Sequence, residues 1–402
     1  MDKTEELLTR GVANIIPDKD KLKKLLSSGK KLNIYLGIDP TATRIHLGHA
    51  VVLRKLNEFA KLGHNVSFLI GDFTALIGDT SDKDTERPVL TPQEVQENFK
   101  TYKKQAEKIL DFSKIQIKYN SEWLSKLNFK DVLGLTMLFS AGDFISRELI
   151  RKRLDKGERV GLHEFLYPLM QGYDSYHMDT DIQIGGTDQT FNMQAGRTLQ
   201  KLFRKKESFI ISTEFLMGTD GRKMSKSWGN AVWLDDSPND MYAKVMAISD
   251  AQIIEYIALA TNWPLKEKDL EFEYRLKTNE NPINIKKDLA FEIVKELYNE
   301  KDALAAKGNF ENIVQKKNIP EEIREVNLSI FDIKNMNIVD LLTNPLYKLG
   351  LAKSKSDAKR LIEQEGVKVN SEIVKNPDLS IELKDKMIIS VGKHKFVKIV
   401  SK

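Results

Sequence analysis

Two short segments of this 402-residue chain carry side chains suited to phosphate chemistry. One is GTDGRKMSKSWGN, Gly218 to Asn230, in which Lys223 and Lys226 stand three residues apart between glycines. Two ammonium groups in such a loop suit the charge that develops on a pentacoordinate phosphate and a departing pyrophosphate, where catalysis is largely electrostatic. Lysines in a surface loop are commonly only solvated, so this interpretation depends on the other segment.

That other segment is GIDPTATRIHLGHA, the stretch 37–50. Its Thr41, His46, Gly48 and His49 fall where a helix is predicted to begin, and the N–H groups of a helix N-terminus bind phosphate. Gly48 would let a base or ribose approach the backbone. The spacing of the two histidines also fits a metal site or two structural histidines, but the chain has no cysteine and no obvious third ligand. In the same chain as the lysine loop, the pattern favours a nucleotide site.

An open α/β sheet is predicted to position both segments. A strand-like run at 31–38 precedes the histidine loop, and an amphipathic helix ended by Gly63 leads to a second apolar run at 65–73. The order of strand, helix and strand recurs from Asp181 onward, just before the lysine loop. Ligands of such sheets bind at the carboxyl ends of the strands. The sequence therefore predicts a Rossmann-like nucleotide-binding domain over 1–233.

The remaining stretches predict an insertion and two further domains. Residues from about 112 to 178 are mostly helical by pattern and would interrupt the nucleotide-binding domain. An all-α domain is predicted for 234–320, a polar linker for 321–337 and a small α+β domain for 338–402. Apolar residues of the insertion fit either a core or a dimer seam, and their spacing does not decide between the two: Leu133, Leu135, Met137, Leu138 and Phe139.

Composition narrows the class of protein. With 41% hydrophobic and 30% charged residues the chain can bury a core. The absence of cysteine excludes disulfides and thiolate zinc sites and fits a reducing compartment. The first residues lack an apolar leader, and no run reaches the roughly 18 apolar residues of a membrane span. We therefore expect a soluble cytoplasmic protein with no membrane segment.

The excess positive charge lies at the C-terminus. Residues 348–402 carry 13 Lys and Arg against 7 Asp and Glu, whereas the rest of the chain carries 50 against 51. A basic surface can be simply solvated, but a folded basic module is also typical of polyanion binding. The small domain is therefore a candidate polyanion-binding module.

These two motifs together resemble the paired signatures of class I aminoacyl-tRNA synthetases, His-Ile-Gly-His and Lys-Met-Ser-Lys-Ser. Here the first reads His-Leu-Gly-His and the second matches letter for letter. Further stretches are similar to bacterial-type tyrosyl-tRNA synthetases, and the basic tail resembles the RNA-binding domain that ends those enzymes. These stretches are Tyr35 in IYLGIDPTA, Gly78-Asp79, the run from Tyr167 to Asp174, and Gly185 to Gln189.

The resemblance implies a role for each matching position. The substrate phenol would meet Tyr35 and Asp174, and its ammonium group Asp79, Tyr167 and Gln171. Gln189 would lie near the substrate carboxylate. ATP phosphates would be handled by Thr41, His46, Lys223 and Lys226, and the rest of ATP would be bound by Gly37, Asp39, Gly48, His49, Gly186, Asp188 and Met224.

A loop that closes over pyrophosphate is also implied, with Lys83 and Arg87 as its cations. Here the sequence departs from the family pattern. The usual Asp-Pro-Ser-Gly-Lys reads Asp-Thr-Ser-Asp-Lys, so that Asp82 and Asp84 add negative charge beside these cations.

The implied activity is ATP-dependent activation of tyrosine to tyrosyl-adenylate, followed by transfer to the terminal adenosine of tRNA(Tyr). Magnesium with ATP, no prosthetic group and a homodimer are expected. Three alternatives stay open from the sequence: a tryptophanyl-tRNA synthetase, a small-substrate nucleotidyltransferase, and a non-catalytic RNA-binding protein with the same fold. The Tyr35 and Asp174 pair and the basic tail argue against the first, the helical domain and tail against the second, and the complete ATP motifs against the third.

Overall fold

The computed structural model divides the chain into two compact units, Met1–Ala303 and Leu304–Lys402. It describes residues 3–79, 90–225, 228–264, 271–272, 275, 278, 280–312, 324–328, 335–343, 351–352, 354–370, 372–392 and 395–401. Lys83, Arg87 and Lys226, for which the sequence predicts catalytic roles, lie outside these ranges. Within them, no helix is long and apolar enough to cross a membrane.

The first half of the chain alternates strands with helices. In order, the elements are α1 (Lys3–Leu7), β1 (Val12–Ile16), α2 (Lys19–Leu26), β2 (Asn33–Ile38), α3 (Leu47–Lys61), β3 (Asn65–Ile70), α4 (Pro92–Ala106), β4 (Ile115–Tyr119), α5 (Ser121–Leu124), α6 (Phe129–Thr136), α7 (Ala141–Ile145), α8 (Glu148–Asp155), α9 (Leu162–His177), β5 (Ile182–Gly186), α10 (Thr190–Arg204) and β6 (Phe209–Thr213).

These strands form one six-stranded sheet in the order β1-β6-β5-β2-β3-β4. All neighbours are parallel except β1, which pairs antiparallel with β6. From β2 the chain moves to β3 on one side, while β5 lies on the other side. This reversal of strand order opens a crevice at the carboxyl ends of β2 and β5, where ligands of such sheets bind. The predicted α/β class is confirmed.

Helix α3 follows β2 because its apolar residues recur on one face. Leu47, Leu53, Leu56 and Phe59 are fully buried in the core. Beyond the helix, Gly63 has φ of +85°, a conformation that glycine adopts without strain. The helix predicted between the first two strands is therefore confirmed.

The helical insertion begins later than the sequence pattern predicts. The start of the predicted stretch 112–178 contains β4, which pairs in parallel with β3 and belongs to the central sheet. The segment IQIKY alternates apolar and polar residues and is only partly buried, as expected of an edge strand. Helical structure follows β4, from α5 to α9.

Helices dominate the chain after β6. The elements are α11 (Pro238–Met246), α12 (Ile253–Ala260), α13 (Pro282–Leu297) and α14 (Glu300–Phe310). Ser237 caps α11 by accepting a hydrogen bond from the Asp240 N–H, and Pro238 occupies the first turn. The described residues between 234 and 312 contain no strand, in line with the predicted helical character.

The second unit is a small α+β structure. Its elements are β7 (Arg324–Leu328), β8 (Asn335–Asn337), α15 (Ile338–Thr343), α16 (Lys355–Glu363), β9 (Val367–Val369), β10 (Glu372–Ile373), β11 (Ser380–Glu382), β12 (Ile388–Val391) and β13 (Lys395–Ser401). Its core is formed by residues that include Ile338, Leu342, Ile362, Ile389 and Ile399.

The linker predicted for 321–337 is wrong for two of its segments. Strand β7 pairs in parallel with β13, and β8 pairs antiparallel with β11. Both segments are polar and short, and strand pairing with distant parts of the chain, rather than local pattern, gives them their structure. The second unit therefore begins before residue 338.

Candidate active site

A polar cavity occupies the crevice at the carboxyl ends of β2 and β5. It is lined by seven residues that the sequence predicts for substrate or ATP: Tyr35, Gly37, Asp39, Tyr167, Gln171, Asp174 and Gln189. Thr74, Asn120 and Gln183 also line it and were not predicted. Helix α9 supplies three of the predicted residues because positions 167, 171 and 174 recur at helical spacing and share one face.

Close packing of α9 on α10 fixes the position of that face. A Cβ atom at Gly172 would lie 3.1 Å from the backbone carbon of Ala195, tighter than most Cβ contacts, so glycine favours this close approach of the two helices. At the start of α9, buried Glu164 accepts hydrogen bonds from the Gly161 N–H and from Arg153. These contacts hold the polar residues of α9 against the crevice.

Asp174 lies at the most buried end of the cavity, with 3% of its surface exposed. The indole N–H of Trp123 donates to Asp174 Oδ1 at 2.7 Å, and Asn120 Nδ2 donates to Oδ2 at 3.2 Å. Burial raises the pKa of Asp174 to about 8, although these two hydrogen bonds act in the opposite direction. The site therefore holds a carboxyl group that titrates near neutral pH.

Tyr35 borders the same end of the cavity. Its hydroxyl donates to Gln183 Oε1 at 3.1 Å, and the Gln183 amide donates to the Met193 carbonyl. Burial and the nearby Asp174 both raise the pKa of Tyr35. The predicted pair of Tyr35 and Asp174 is thus brought to one cavity, with Gln183 as the partner of the tyrosine hydroxyl.

A chain of hydrogen bonds crosses the middle of the cavity. Asn120 Nδ2 donates to Thr74 Oγ1 at 3.0 Å, Thr74 donates to Asp39 Oδ1 at 2.7 Å, and Tyr167 donates to Asp39 Oδ2 at 2.8 Å. A Cβ atom at Gly71 would lie 1.9 Å from Asp39 Oδ1, so this position has room only for glycine. Asp39, which is predicted to bind ATP, therefore accepts a hydrogen bond from Tyr167, which is predicted to bind the amino acid.

Asp79 and Gln189 contact each other beside the cavity, which Gln189 lines. Gln189 Nε2 donates to Asp79 Oδ2 at 2.7 Å, and Asn192 Nδ2 donates to Gln189 Oε1 at 3.2 Å. These two residues, predicted for the substrate ammonium and carboxylate, therefore hold each other in place. Asp79 is nearly buried, which strengthens such a contact.

The histidine motif stands at the N-terminus of α3. The rings of His46 and His49 lie 3.8 Å apart between centroids, and a Cβ atom at Gly48 would lie 2.9 Å from His46 Nδ1. Glycine is thus required at position 48 so that the His46 ring can lie over the helix backbone. Burial, His49 and Lys223 lower the pKa of His46 to about 2, so that its ring is neutral at working pH.

The lysine loop approaches the same region. Lys223 Nζ lies 3.2 Å from Asp188 Oδ2 and 4.0 Å from the centroid of the Phe215 ring. Its side chain is 44% exposed, and Met224 is buried. A Cβ atom at Gly186 would lie 2.6 Å from Asp188 Oδ1, so the glycine leaves room for that carboxylate.

Asn230 holds the loop together from the inside. This buried residue accepts a hydrogen bond from the Ser225 N–H at 2.9 Å and donates to Asp220 Oδ1 at 2.7 Å. It also donates to the Lys223 carbonyl at 3.2 Å. These contacts fix the conformation of the described part of the loop.

Sequence reasoning missed several residues around the cavity. Asn120 directly follows β4, and Gln183 is a polar residue within the buried strand β5. Two signals could have identified them. Asn120 follows a strand whose carboxyl end meets those of its neighbours at one edge of the sheet, and a buried polar side chain such as Gln183 needs a hydrogen-bond partner. Among the described residues, no group of three or more metal-ligating side chains is present.

The fold and the motifs define a class of enzyme. A family model described as tRNA synthetases class I (W and Y) matches residues 27–315, and a model of the S4 domain matches residues 344–386. A crystal structure of a C-terminally truncated mitochondrial tyrosyl-tRNA synthetase from Aspergillus nidulans superposes with a TM-score of 0.64 at 23% identity, covering 76% of this chain and 92% of that one. That likeness shows the fold.

Two curated relatives narrow this class of enzyme to one family. The tyrosine–tRNA ligase of Thermotoga maritima is 41% identical over 98% of this chain and 96% of its own length. That of Carboxydothermus hydrogenoformans is 43% identical over 98% of this chain and 97% of its own length. The chain therefore belongs to the tyrosine–tRNA ligase family.

Proposed function

We propose that the cavity binds tyrosine and activates it with ATP, giving tyrosyl-adenylate and pyrophosphate, and that the tyrosyl group then passes to the terminal adenosine of tRNA(Tyr). The observation that carries this proposal is the buried Asp174 carboxyl at the closed end of the cavity, beside Tyr35. Buried polar groups can reject an analogue that lacks the matching hydroxyl, because they would be left unpaired.

The amino acid would lie along the cavity with its phenol toward Tyr35 and Asp174. Its ammonium group would face Asp79, Tyr167 and Gln171, and Gln189 would lie near its carboxylate. The hydrogen bond between Gln189 and Asp79 supports this arrangement, since it keeps the two side chains together beside the cavity. Bound tyrosine would form hydrogen bonds with these side chains in place of their present contacts. It would not depend on packing in an apolar pocket.

Asp39 would act through Tyr167 and Thr74, which it already contacts. It would lie at the boundary between the amino acid and ATP rather than contact ATP alone. Its position in the hydrogen-bond chain from Asn120 supports this role.

ATP would lie over the two motifs at the open side of the crevice. Thr41, neutral His46, Lys223 and Lys226 would meet its phosphates, and the remaining contacts would come from Gly37, Gly48, His49, Gly186, Asp188 and Met224. The tyrosine carboxylate would attack the α-phosphate in line. No side chain need form a covalent intermediate, so positioning and charge stabilisation supply the rate.

Magnesium would enter with ATP as part of the substrate. Lys83 and Arg87 would close over the leaving pyrophosphate, with Asp82 and Asp84 weakening their charge. No prosthetic group is needed for this reaction, and a cysteine-free chain fits the cytoplasm.

The experiment that tests the proposal is pyrophosphate exchange, measured with ATP and each amino acid in turn. Exchange that depends on tyrosine and far exceeds that with tryptophan or phenylalanine is expected. Exchange with tryptophan instead would favour the other member of this enzyme class, and no exchange with any amino acid would favour a non-catalytic RNA-binding protein.

The second unit would bind tRNA, in keeping with its S4-domain match and its basic charge. A chain that ends at Asn312 should keep tyrosine-dependent pyrophosphate exchange but lose most tRNA charging. The intact chain should lose charging as salt rises, because RNA-backbone contacts release counterions. Equal loss of both activities in a folded truncated protein would contradict this division.

A homodimer would cover apolar side chains of the insertion. Phe129, Met137 and Leu162 are 79%, 84% and 82% exposed, which is unusual for such large apolar groups. Light scattering should give a dimer, and Met137→Glu should shift it toward monomer.

A further inference from the structure

The segment that follows the lysine loop is joined directly to the histidine loop. The Leu47 N–H donates to the Val232 carbonyl at 2.9 Å, and the Leu234 N–H donates to the Ile45 carbonyl at 2.8 Å. These backbone hydrogen bonds pair the residues around the histidine motif with the residues just after the lysine loop. A movement of the backbone of one segment would therefore displace the backbone of the other.

The side chain of Arg44 reinforces this junction. Its Nε donates to Asp235 Oδ1 and Oδ2 at 2.8 and 2.9 Å, and its Nη2 donates to Asp236 Oδ1 at 3.1 Å. The guanidinium carbon lies 4.7 Å from the centroid of the Trp233 ring. That ring meets the His46 ring edge-on, with 5.7 Å between centroids. Arg44 thus contacts the same Trp233 ring against which the His46 ring packs.

The acidic partners of Arg44 are themselves anchored. Asp236 Oδ2 accepts a hydrogen bond from the Trp233 N–H at 2.8 Å and lies 2.5 Å from Lys244 Nζ on helix α11. Asp236 is 8% exposed, so its charge is little screened. Through Asp236, Arg44 is therefore attached to the start of the helical part of this unit, whereas its other partner, Asp235, is 40% exposed.

Helix α4 holds the other side of the same loop. Gln105 Oε1 accepts a hydrogen bond from the Ile45 N–H at 2.8 Å, and Thr101 Oγ1 donates to the Thr43 carbonyl at 2.8 Å. With α4 fixing the backbone on one side, Arg44 determines how closely the loop approaches the Trp233 segment on the other.

We propose that Arg44 is a positioning residue for ATP, which fixes His46 and the base of the lysine loop in one arrangement through Trp233, Asp235 and Asp236. This inference rests on the proposed function, because it assigns ATP to the two motifs. Isolated surface ion pairs contribute little, but a two-point guanidinium contact within a charge network and over an aromatic ring contributes more. Arg44 makes such a two-point contact within a charge network and over the Trp233 ring.

The test compares Arg44→Ala with Lys114→Ala, which removes the same charge from an exposed ion pair before β4. Arg44→Ala should weaken ATP binding, measured by equilibrium dialysis without tyrosine, about five- to tenfold, as expected for loss of a charge-assisted contact. The KM for ATP should rise with it. Tyrosine affinity should stay unchanged, because the contacts of Tyr35 and Asp174 do not involve this network.

Two further variants keep the proposal falsifiable if Arg44→Ala is unstable. Asp235→Asn should weaken ATP binding similarly, and the double variant should be no worse than the single ones, since both remove one contact. Arg44→Lys should recover part of the affinity, because an ammonium keeps the charge but not the planar fork.

Three results would overturn the proposal: ATP affinity equal to that of Lys114→Ala, additive effects of the two substitutions, or a parallel loss of tyrosine affinity. Failure of the proposed function gives a different result, because wild-type protein would then not exchange pyrophosphate with tyrosine. The ATP affinity of the variants can be measured in either case.

Discussion

The two ends of the proposed active site, the phenol end and the phosphate end, are built on opposite principles. At the phenol end, Tyr35 and Asp174 are almost fully buried and already hydrogen-bonded to Gln183, Trp123 and Asn120. At the phosphate end, Lys223 is about half exposed and paired with a single described carboxylate, Asp188. The first end is a closed polar pocket and the second an open charged surface.

This difference matches the two tasks. Recognition of one hydroxyl needs buried groups, because only there does an unpaired polar atom cost free energy. Stabilisation of a charge that appears during reaction needs a cation that keeps its own charge, which solvent exposure allows. Specificity should therefore lie at the buried end and rate at the exposed end.

The strongest test of that division is Lys223→Ala. Adenylation should slow by ~10²-fold or more, because the lysine meets charge that develops mainly in the transition state. Tyrosine affinity, measured by equilibrium dialysis, should stay nearly constant. Lys21→Ala, at an exposed position on α2, serves as the control. A parallel collapse of tyrosine binding would show that the two ends are not separate.

The matching test at the buried end is Asp174→Ala. We expect kcat/KM for tyrosine in pyrophosphate exchange to fall by about 10- to 100-fold, since a hydrogen-bonding carboxyl group is lost from a buried site. The ratio of tyrosine to phenylalanine should shrink with it. The exposed Asp20→Ala provides the control. An unchanged ratio would place the phenol elsewhere in the molecule.

A smaller effect is expected for Tyr35→Phe. It removes one neutral hydroxyl at a cost of about 0.5–1.5 kcal/mol, and leaves Gln183 without its described donor. Discrimination against phenylalanine, from the same kinetic ratio, should fall less than in Asp174→Ala. If Tyr35→Phe had the larger effect, Gln183 and Tyr35 rather than Asp174 would dominate recognition.

A further test of the buried end concerns stability as a function of pH. The pKa of Asp174 is about 8 in the folded protein against an ordinary 3.8. Between these values the folded state holds a proton that the unfolded chain releases, so the contribution of Asp174 to the free energy of unfolding falls as pH rises and is lost above about 8. Urea titrations across this range should show that decline in the wild type, relative to Asp174→Asn. Identical pH profiles would contradict a buried neutral carboxyl.

The phosphate end could be predicted well from sequence. Its motifs are contiguous: His46, Gly48 and His49 stand in one loop, and Lys223 and Met224 in another. Local spacing together with the strand pattern therefore predicts both the elements and the chemistry. The roles of all these residues stay predictions, and Lys83, Arg87 and Lys226 also lie outside the described residues.

The network that supports the phenol end could not be found in this way. Asn120, Trp123 and Gln183 come from separate elements, and each becomes meaningful only when β4, α5 and β5 bring it to Asp174 or Tyr35. The same holds for Arg44, which no motif marks and whose partners Asp235 and Asp236 are almost two hundred residues away.

By itself, the sequence determined the α/β class, the position of the two motifs predicted for ATP, the polar face of α9 and the basic tail, because each is set by local periodicity or composition. Only the tertiary structure decided that Asp39 joins Tyr167, that Gly48 makes room for the His46 ring, and that the polar stretches of β7 and β8 form strands. The physical reason is that burial, pairing and pKa depend on neighbours brought together from distant parts of the chain, which no local pattern records.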